Sequence, residues 1–246
     1  ILACFVMLGS CALVGCDPPS PGAAPAAGSA RPVAATAASA PRIVSLSPAL
    51  TRTIADLGAG AHVVGRTPWC DAVGGEVPVV GTMDERDLER IAGLAPNLIT
   101  IQSAAPDAAL AQPARQQGCA LHAWHLDGVA DVQRMVQELG GVLEAAGIAG
   151  AQARAQAILA EHATLVADRI PTRRPTLLLF STDPPAAFGS GTFPGDLWSA
   201  MGGTNAIATA GYPALTAEDV ARLAPALTIV FGKGEPPAWL ARATGG

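Results

Sequence analysis

A strand–loop–helix pattern occurs twice between residues 41 and 101, and it restricts the fold more than any other feature of the chain. The apolar runs 43–46 and 77–80 are each followed by a small polar loop and then by a stretch with the spacing of an amphipathic helix. Strands that alternate with helices are typical of layered α/β domains. Loops after such strands lie at the carboxyl edge of the sheet, where open α/β folds bind ligands. The segment therefore predicts both an α/β architecture and the edge that holds a ligand.

An amino-terminal lobe is predicted over residues 41–148, because the same alternation continues to that point. A break at 147–150 precedes a run without Pro or Gly over 151–170. At 1.5 Å per residue, a helix over this run is about 30 Å long, the width of one lobe. We therefore expect a connecting helix within 149–170 and a carboxyl-terminal lobe over 171–246. The alternative is an ordinary crossover helix inside a single domain.

The individual elements follow from short apolar runs and helical periodicity. Strands are predicted near 43–46, 63–65, 79–80, 98–101, 121–124, 176–180 and 227–231. Helices are predicted near 51–57, 87–93, 108–117, 129–146, 151–170, 193–201 and 217–223.

Residues 1–16 are apolar or small and end in Cys16. The run is shorter than the roughly 20 residues of a membrane-spanning helix and fits the apolar region of a secretory signal. Its end resembles a lipobox, in which Cys16 is acylated and becomes the first residue of a lipoprotein. The alternative is a signal peptide that is cut further along. The segment lacks a start Met and a basic region, so we expect the chain to begin within its signal.

Residues 17–40 are mostly Pro, Ala, Ser and Gly without a periodic apolar face, which predicts a disordered linker. We expect a body tethered by lipid to the membrane, in the periplasm or at the extracellular face. A formal net charge of −5 gives no basic surface for nucleic acid. Exported proteins form disulfides, but Cys70 and Cys119 have no diagnostic spacing, so a disulfide and two free thiols both stay open.

Signatures of enzymes are absent from the sequence, and we expect no catalytic activity. Ser190 lacks the first glycine of a nucleophile elbow. The segment that begins at Gly58 follows a helix rather than a strand, unlike a dinucleotide-binding loop. His122 and His125 stand three apart near a predicted strand and do not form a simple metal-binding pair. We therefore expect no metal site built from side chains, although His125 lies at a strand end.

Five phrases, in their order and spacing, resemble the substrate-binding proteins of ABC importers. They are PRIVSLSPALT, VVGRTPWCD, DLERIAGLAPNLIT, FGSGTFPGDLWSAMGGTNA and LTAEDVARLAPALTIV. The resemblance spans about residues 41–232 and points to the helical-backbone metal receptors, which capture cobalamin, ferric siderophores or haem. It implies two α/β lobes joined by one long helix, with a ligand cleft between the lobes. It also implies that the carboxyl terminus of this chain is incomplete.

The candidate ligand contacts combine residue type with this resemblance. Aromatic residues make up only 4% of the chain, and Trp69, Phe193 and Tyr212 fall near predicted strand ends. Flat aromatic surfaces suit a macrocycle or a siderophore. The resemblance implies that the three line the cleft with Met83, which stands where cobalamin-binding members have a pocket aromatic. The alternative is that each aromatic fills a local core.

Two glutamates are candidate contacts for a permease. Glu89 and Glu218 each stand at the start of a predicted helix, one in each lobe. The resemblance implies that they pair with arginines of the two permease subunits, whereas helix dipoles alone also favour glutamate there. It further implies a monomeric receptor without a built-in cofactor that captures a corrinoid, or else a ferric siderophore or haem. A lipoprotein with a structural or signalling role is the alternative from another class.

Overall fold

The computed structural model of the protein describes residues 40–105, 108–170, 174–232 and 235–243. The predicted signal segment with Cys16 and nearly all of the predicted linker lie outside these residues. The strands are β1 (Ile43–Ser45), β2 (Val63–Arg66), β3 (Leu98–Gln102), β4 (Ala120–Trp124), β5 (Pro175–Thr182), β6 (Pro185–Ala187), β7 (Thr204–Asn205) and β8 (Leu227–Val230). The helices are α1 (Pro48–Asp56), α2 (Leu88–Gly93), α3 (Ala108–Gln116), α4 (Val129–Ala145), α5 (Ala151–Ala167), α6 (Phe193–Ala200), α7 (Ala217–Leu223) and α8 (Ala238–Ala243).

The first lobe is built on a parallel sheet with the strand order β2–β1–β3–β4. Adjacent residues of β1 have their side chains on opposite faces of the sheet, because side chains alternate along a strand. Ile43 packs in a core with α1, α4 and α5, whereas Val44 packs in a second core with α2 and α3. Both faces are therefore covered, as is usual for parallel sheets. All four strands end at the same edge, so their following loops meet there.

The second lobe has a smaller sheet centred on β5. This strand pairs in parallel with β7 and β8 and antiparallel with β6. Leu177 and Leu179 of β5 form a core with Val220 of α7 and Leu240 of α8. Together the two sheets and their helices confirm the predicted α/β class. No helix in the described part of the chain is both long and apolar enough to cross a membrane.

Helix α5 packs along α4 of the first lobe and then leads to the second. Gly140 of α4 is buried against Ala155 of α5, and a Cβ at Gly140 would lie 2.6 Å from the Ala155 Cβ. The Arg154 Nε donates to the carbonyl oxygen of Leu57 at 2.7 Å, which fixes the start of α5 to the end of α1. Beyond α5, the Ile170 backbone N–H donates to the Met201 carbonyl of the second lobe.

Several predicted elements differ from the observed ones. The strand predicted at 79–80 was wrong, because only an isolated bridge between Arg66 and Val79 forms there. The helix predicted to run to residue 170 ends at Ala167, and Asp168 is already extended. Cys70 and Cys119 are both free and buried, so of the two open alternatives the structure has free thiols.

Candidate ligand-binding site

Two neighbouring loops carry the candidate residues of the first lobe. Trp69 lies in the loop after β2, and its side chain is 60% exposed. The Val80 backbone N–H donates to the Arg66 carbonyl at 2.9 Å, so the following turn leaves the sheet at the same edge. Met83 lies in this turn, is half-buried, and accepts a hydrogen bond at its carbonyl from the Arg86 guanidinium. The carboxyl edge therefore presents Trp69 and Met83 from adjacent loops, as the sequence predicts.

Four aromatic rings form one group on the second lobe, which we call the aromatic cluster. Its members are Phe180, Phe188, Tyr212 and Phe231, with ring centroids between 4.9 and 6.0 Å apart where they touch. The cluster is open to solvent, since Tyr212 is 52% exposed and Phe231 44% exposed. Such edge-to-face contacts are favourable, but they leave apolar ring surface in water. The cluster is thus a preformed apolar surface.

Of these four residues, only Tyr212 was predicted from the sequence as a candidate ligand contact. Phe180 belongs to β5, while Phe188 and Phe231 directly follow β6 and β8. Phe231 directly follows the apolar run of β8, a pattern that indicates the carboxyl edge of a sheet. Phe180 follows an apolar run in the same way but belongs to β5, and its exposure depends on what lies over the sheet.

Phe193 is the first residue of α6, which confirms the predicted start of the helix over 193–201. It follows the preceding loop and does not lie within it. Thr192 caps this helix, with its hydroxyl accepting from the Gly195 N–H at 3.3 Å. The Phe193 side chain is half-buried, and no ring contact within the described residues joins it to the aromatic cluster. The structure thus separates Phe193 from Tyr212.

A cavity of about 420 Å³ opens beside the aromatic cluster. Phe180 and Phe231 form its apolar side, and Ser181, Asp183 and Glu235 contribute polar groups. Sites for small molecules commonly measure about 300–1,000 Å³ and combine apolar walls with a few polar groups. The cavity and the exposed rings therefore form one continuous candidate surface on the second lobe.

The two lobes meet near this surface. A Cβ at Gly128, which precedes α4, would lie 2.9 Å from Oδ2 of Asp196 in α6. The pKa of the Tyr212 phenol is raised, first by loss of hydration and then by the negative charge of Asp127 from the loop after β4. Asp127 also accepts from His125, with Nε2 and Oδ2 2.9 Å apart. The loop after β4 thus brings the first lobe close to Tyr212.

The histidines near this junction have structural partners. His122 stacks on Trp124, with ring centroids 5.5 Å apart, and the Trp124 indole N–H donates to Glu138 at 2.7 Å. Burial lowers the pKa of His122, and the charge of Glu138 partly opposes this shift. Across the residues that the structure describes, no group of three or more His, Cys, Asp or Glu side chains is placed to hold a metal ion.

Glu89 and Glu218 occupy matching positions in a helix–turn–strand unit, which occurs once in each lobe as α2 with β3 and as α7 with β8. Each is the second residue of a short helix, α2 or α7, and each is exposed. Asp87 caps α2 by accepting from the Arg90 N–H, and Thr216 caps α7 in the same way.

Both helices of this unit end in the same unusual manner. Leu94-Ala95-Pro96 follows α2 and Leu223-Ala224-Pro225 closes α7, and each segment leads into a parallel strand. The two alanines have φ values of 44° and 43°, in the left-handed region. Each lobe therefore presents one glutamate from the same local geometry.

Solved structures of other proteins share this fold. The periplasmic haem-binding protein RhuT from Roseiflexus sp. RS-1, in apo form, matches with a TM-score of 0.63 and 24% identity over 78% of this chain and 76% of that one. The periplasmic vitamin B12-binding protein BtuF of Vibrio cholerae matches with a TM-score of 0.61 and 22% identity, covering 77% and 75%. The siderophore-binding protein FhuD of Vibrio cholerae, bound to Fe³⁺-Desferal, gives 0.62 and 17%, covering 84% and 86%. These likenesses establish the fold.

Sequence comparison identifies the family. No curated protein sequence matches the chain. The family model described as periplasmic binding protein matches residues 43–239, which include both sheets and every candidate ligand and docking residue. Members of this family bind solutes and are not enzymes, which confirms the prediction of no catalytic activity. The chain therefore belongs to the periplasmic binding protein family.

Proposed function

We propose that the protein is a solute-binding lipoprotein that captures a large metal chelate and delivers it to an ABC transporter permease. The aromatic cluster is the observation that carries this proposal. It leaves several large rings partly in water on one side of a cavity, at the place where the lobes meet. Contiguous apolar surface of this kind marks a binding site in a soluble protein. A ligand with a broad apolar face covers it.

The chelate that we place here first is a corrinoid, with a ferric siderophore or haem as alternatives. Trp69 and Met83 on the first lobe face the same edge as the loop that carries Asp127. A ligand held between these loops and the aromatic cluster touches both lobes. Solved structures of the same fold bind haem, vitamin B12 and a ferric siderophore, which supports this range of ligands.

Native mass spectrometry of the protein with cobalamin, haem and ferrioxamine tests the ligand class. One of the three is expected to bind with one-to-one stoichiometry, and replacement of Tyr212 by Ala is expected to weaken that complex. About half of an aromatic side chain of 150–250 Å² remains to be buried, which at roughly 25 cal/mol per Å² gives about 2–3 kcal/mol. Leu165→Ala is the matched control, because Leu165 is 61% exposed but lies on α5.

If none of the three chelates binds, the result argues for the structural or signalling lipoprotein instead. Equal losses from Tyr212→Ala and Leu165→Ala would remove Tyr212 from the site, because the control changes exposed apolar surface elsewhere.

Glu89 and Glu218 are proposed to dock the two lobes on the two permease subunits. Their matching geometry supports this, since a permease dimer presents two equivalent surfaces to two equivalent helices. Truncating one partner of an interfacial charge pair typically costs about 2–5 kcal/mol. In reconstituted proteoliposomes, each Glu→Ala variant is expected to slow uptake and the double variant to slow it further, at unchanged ligand affinity.

Glu161→Ala is the control for docking, because Glu161 is an exposed glutamate of α5. Wild-type uptake by the Glu89→Ala, Glu218→Ala double variant would show that both residues are ordinary helix-start carboxylates.

The lipid anchor is proposed at Cys16, from its sequence context alone. In cells fed a labelled fatty acid, the wild-type chain is expected to incorporate label and to sediment with membranes. Cys16→Ala is expected to abolish both. Incorporation of label by the variant would disprove acylation at this residue.

A further inference from the structure

A small polar cluster lies directly beneath the loop that carries Trp69. Its members are Ser45 at the end of β1, Thr51 in α1, and Thr67 and Cys70 in the loop after β2, and all four are fully buried. The Thr51 Oγ1 lies 3.0 Å from the Cys70 Sγ and 2.7 Å from the Ser45 Oγ. The Thr67 Oγ1 lies 3.1 Å from the same sulfur. The thiol is therefore held between two hydroxyl groups in the interior.

The environment of Cys70 differs from that of an ordinary buried cysteine. A free thiol in a core usually packs as a small hydrophobic group. Here the sulfur touches two threonine hydroxyls, each of which has one proton to donate and lone pairs to accept. The cluster joins a strand, a helix and a loop that are otherwise separate in sequence. It therefore fixes the loop to the framework of the first lobe.

The loop after β2 is held by buried residues on both sides of Trp69, and Trp69 itself is exposed. The Cys70 backbone N–H donates to the Thr67 carbonyl at 3.2 Å, which closes a turn over Pro68 and Trp69. Thr67 and Cys70 point inward, whereas Trp69 between them is 60% exposed. An exposed indole on a fixed turn has lost part of its conformational freedom before any ligand arrives. Binding then costs less entropy than it would on a mobile loop.

We propose that the hydrogen-bonded contact of Cys70 with Thr51 and Thr67 is a positioning element, which holds Trp69 ready for the ligand. Cys70 itself does not touch the ligand. This inference rests on the proposed function, because it assigns Trp69 a ligand contact. It adds that the affinity of the first lobe depends on a buried thiol that lies behind the contact surface.

Replacing Cys70 by Val tests the inference, since the variant keeps an apolar side chain of similar size and loses the polar contacts. We expect affinity for the chelate that binds wild type to fall about two- to tenfold, the range for loss of one hydrogen bond. Cys70→Ser keeps a hydrogen-bonding atom and is expected to recover most of the affinity. Cys119→Val is the matched control, because Cys119 is buried beside α3 and outside the cluster. Thr67→Val, which removes one hydroxyl from the sulfur, replaces Cys70→Val if that variant does not fold.

A spectroscopic measurement separates positioning from general destabilisation and needs no ligand. The fluorescence of Trp69 is obtained as the difference between each variant and the same variant carrying Trp69→Phe. The time-resolved anisotropy of this difference signal is expected to decay faster in Cys70→Val than in Cys119→Val. Unchanged Trp69 anisotropy in both Cys70→Val and Thr67→Val would overturn the inference.

The combination with Trp69→Ala distinguishes failure of the inference from failure of the proposed function. If Cys70 acts through Trp69, then Cys70→Val weakens binding in wild type and has no further effect in the Trp69→Ala background. Additive losses would show that Cys70 acts elsewhere and would overturn the positioning role. If Trp69→Ala binds as wild type does, the ligand contact of Trp69 is wrong, and the anisotropy comparison still decides whether Cys70 holds the loop.

Discussion

Replacing Gly140 by Ala is expected to separate α4 from α5 and destabilise the first lobe. Gly140 lies in the middle of α4 with its hydrogen pointing at Ala155, and the new Cβ would come within 2.6 Å of the Ala155 Cβ. Carbon atoms normally approach to about 3.5–4.0 Å, so the helices must separate by about 1 Å. Because Ala151 and Ala155 are fully buried, this movement also loosens the core around them.

The size of the effect follows from two opposing contributions. Overpacking of a core costs about 1–3 kcal/mol. Alanine in place of glycine inside a helix returns about 0.8–1.0 kcal/mol. The net loss is therefore about 1 kcal/mol and at most about 2 kcal/mol. For a protein of this size, that corresponds to a decrease in Tm of about 2–8 °C.

Urea and thermal unfolding of three variants measure this loss. Gly141→Ala is the control, because a Cβ there would meet only the flexible Gln152 side chain, at 3.3 Å. The double variant Gly140→Ala, Ala155→Gly removes the opposing methyl group and is expected to be more stable than the sum of its single changes predicts. Equal or greater stability of Gly140→Ala relative to Gly141→Ala would refute the steric argument.

Two further predictions concern a charged cap and a strained turn. The backbone N–H groups of Gln152 and Gly150 hold the pKa of Glu144 below its usual range. The stability that the Glu144 carboxylate contributes is therefore fully present above the ordinary glutamate pKa, and it is lost as the pH falls through the lowered pKa of the folded state. Glu144→Gln is therefore expected to lower Tm at neutral pH by an amount that shrinks in acid, and a difference that grows in acid would contradict this. Ala224→Gly is expected to raise the unfolding free energy by up to about 1 kcal/mol, because Ala224 is left-handed with φ 43°. Ala221→Gly, inside α7, is its control and is expected to lower the free energy by about 1 kcal/mol, so similar losses from both would show that the turn is not strained.

The sequence predicts most of the regular structure because local signals suffice there. Helices α2 and α7 were expected within a residue of their observed bounds, since Asp87 and Thr216 are capping residues directly before apolar spacing. Strands β3 and β8 follow them as short apolar runs. Strands β6 and β7 escaped prediction, because elements of three and two residues show neither alternation nor a continuous apolar run.

The candidate site depends on contacts that the sequence does not contain. Tyr212 was predicted as a candidate because an aromatic residue beside a proline in a polar stretch indicates a loop. Phe180 was missed because it follows three buried leucines and looks like one more core position. Gly128 and Asp196 lie close together although they belong to different lobes, and no local sequence pattern predicts this contact. Prediction was therefore reliable for elements and incomplete for the surfaces that they create together.

The burial of both thiols in the folded part has a practical consequence for measuring motion. Burial raises the pKa of Cys119 to about 11, so almost none of it is thiolate at neutral pH, and Cys70 is fully enclosed. Since thiolate is the species that reacts with maleimides, we expect the two cysteines in the described part of the chain to stay unlabelled. Cysteines introduced at exposed Glu89 and Glu218 can then carry a donor and an acceptor dye, one on each lobe. Energy transfer between them reports whether the distance between the lobes changes when a chelate binds.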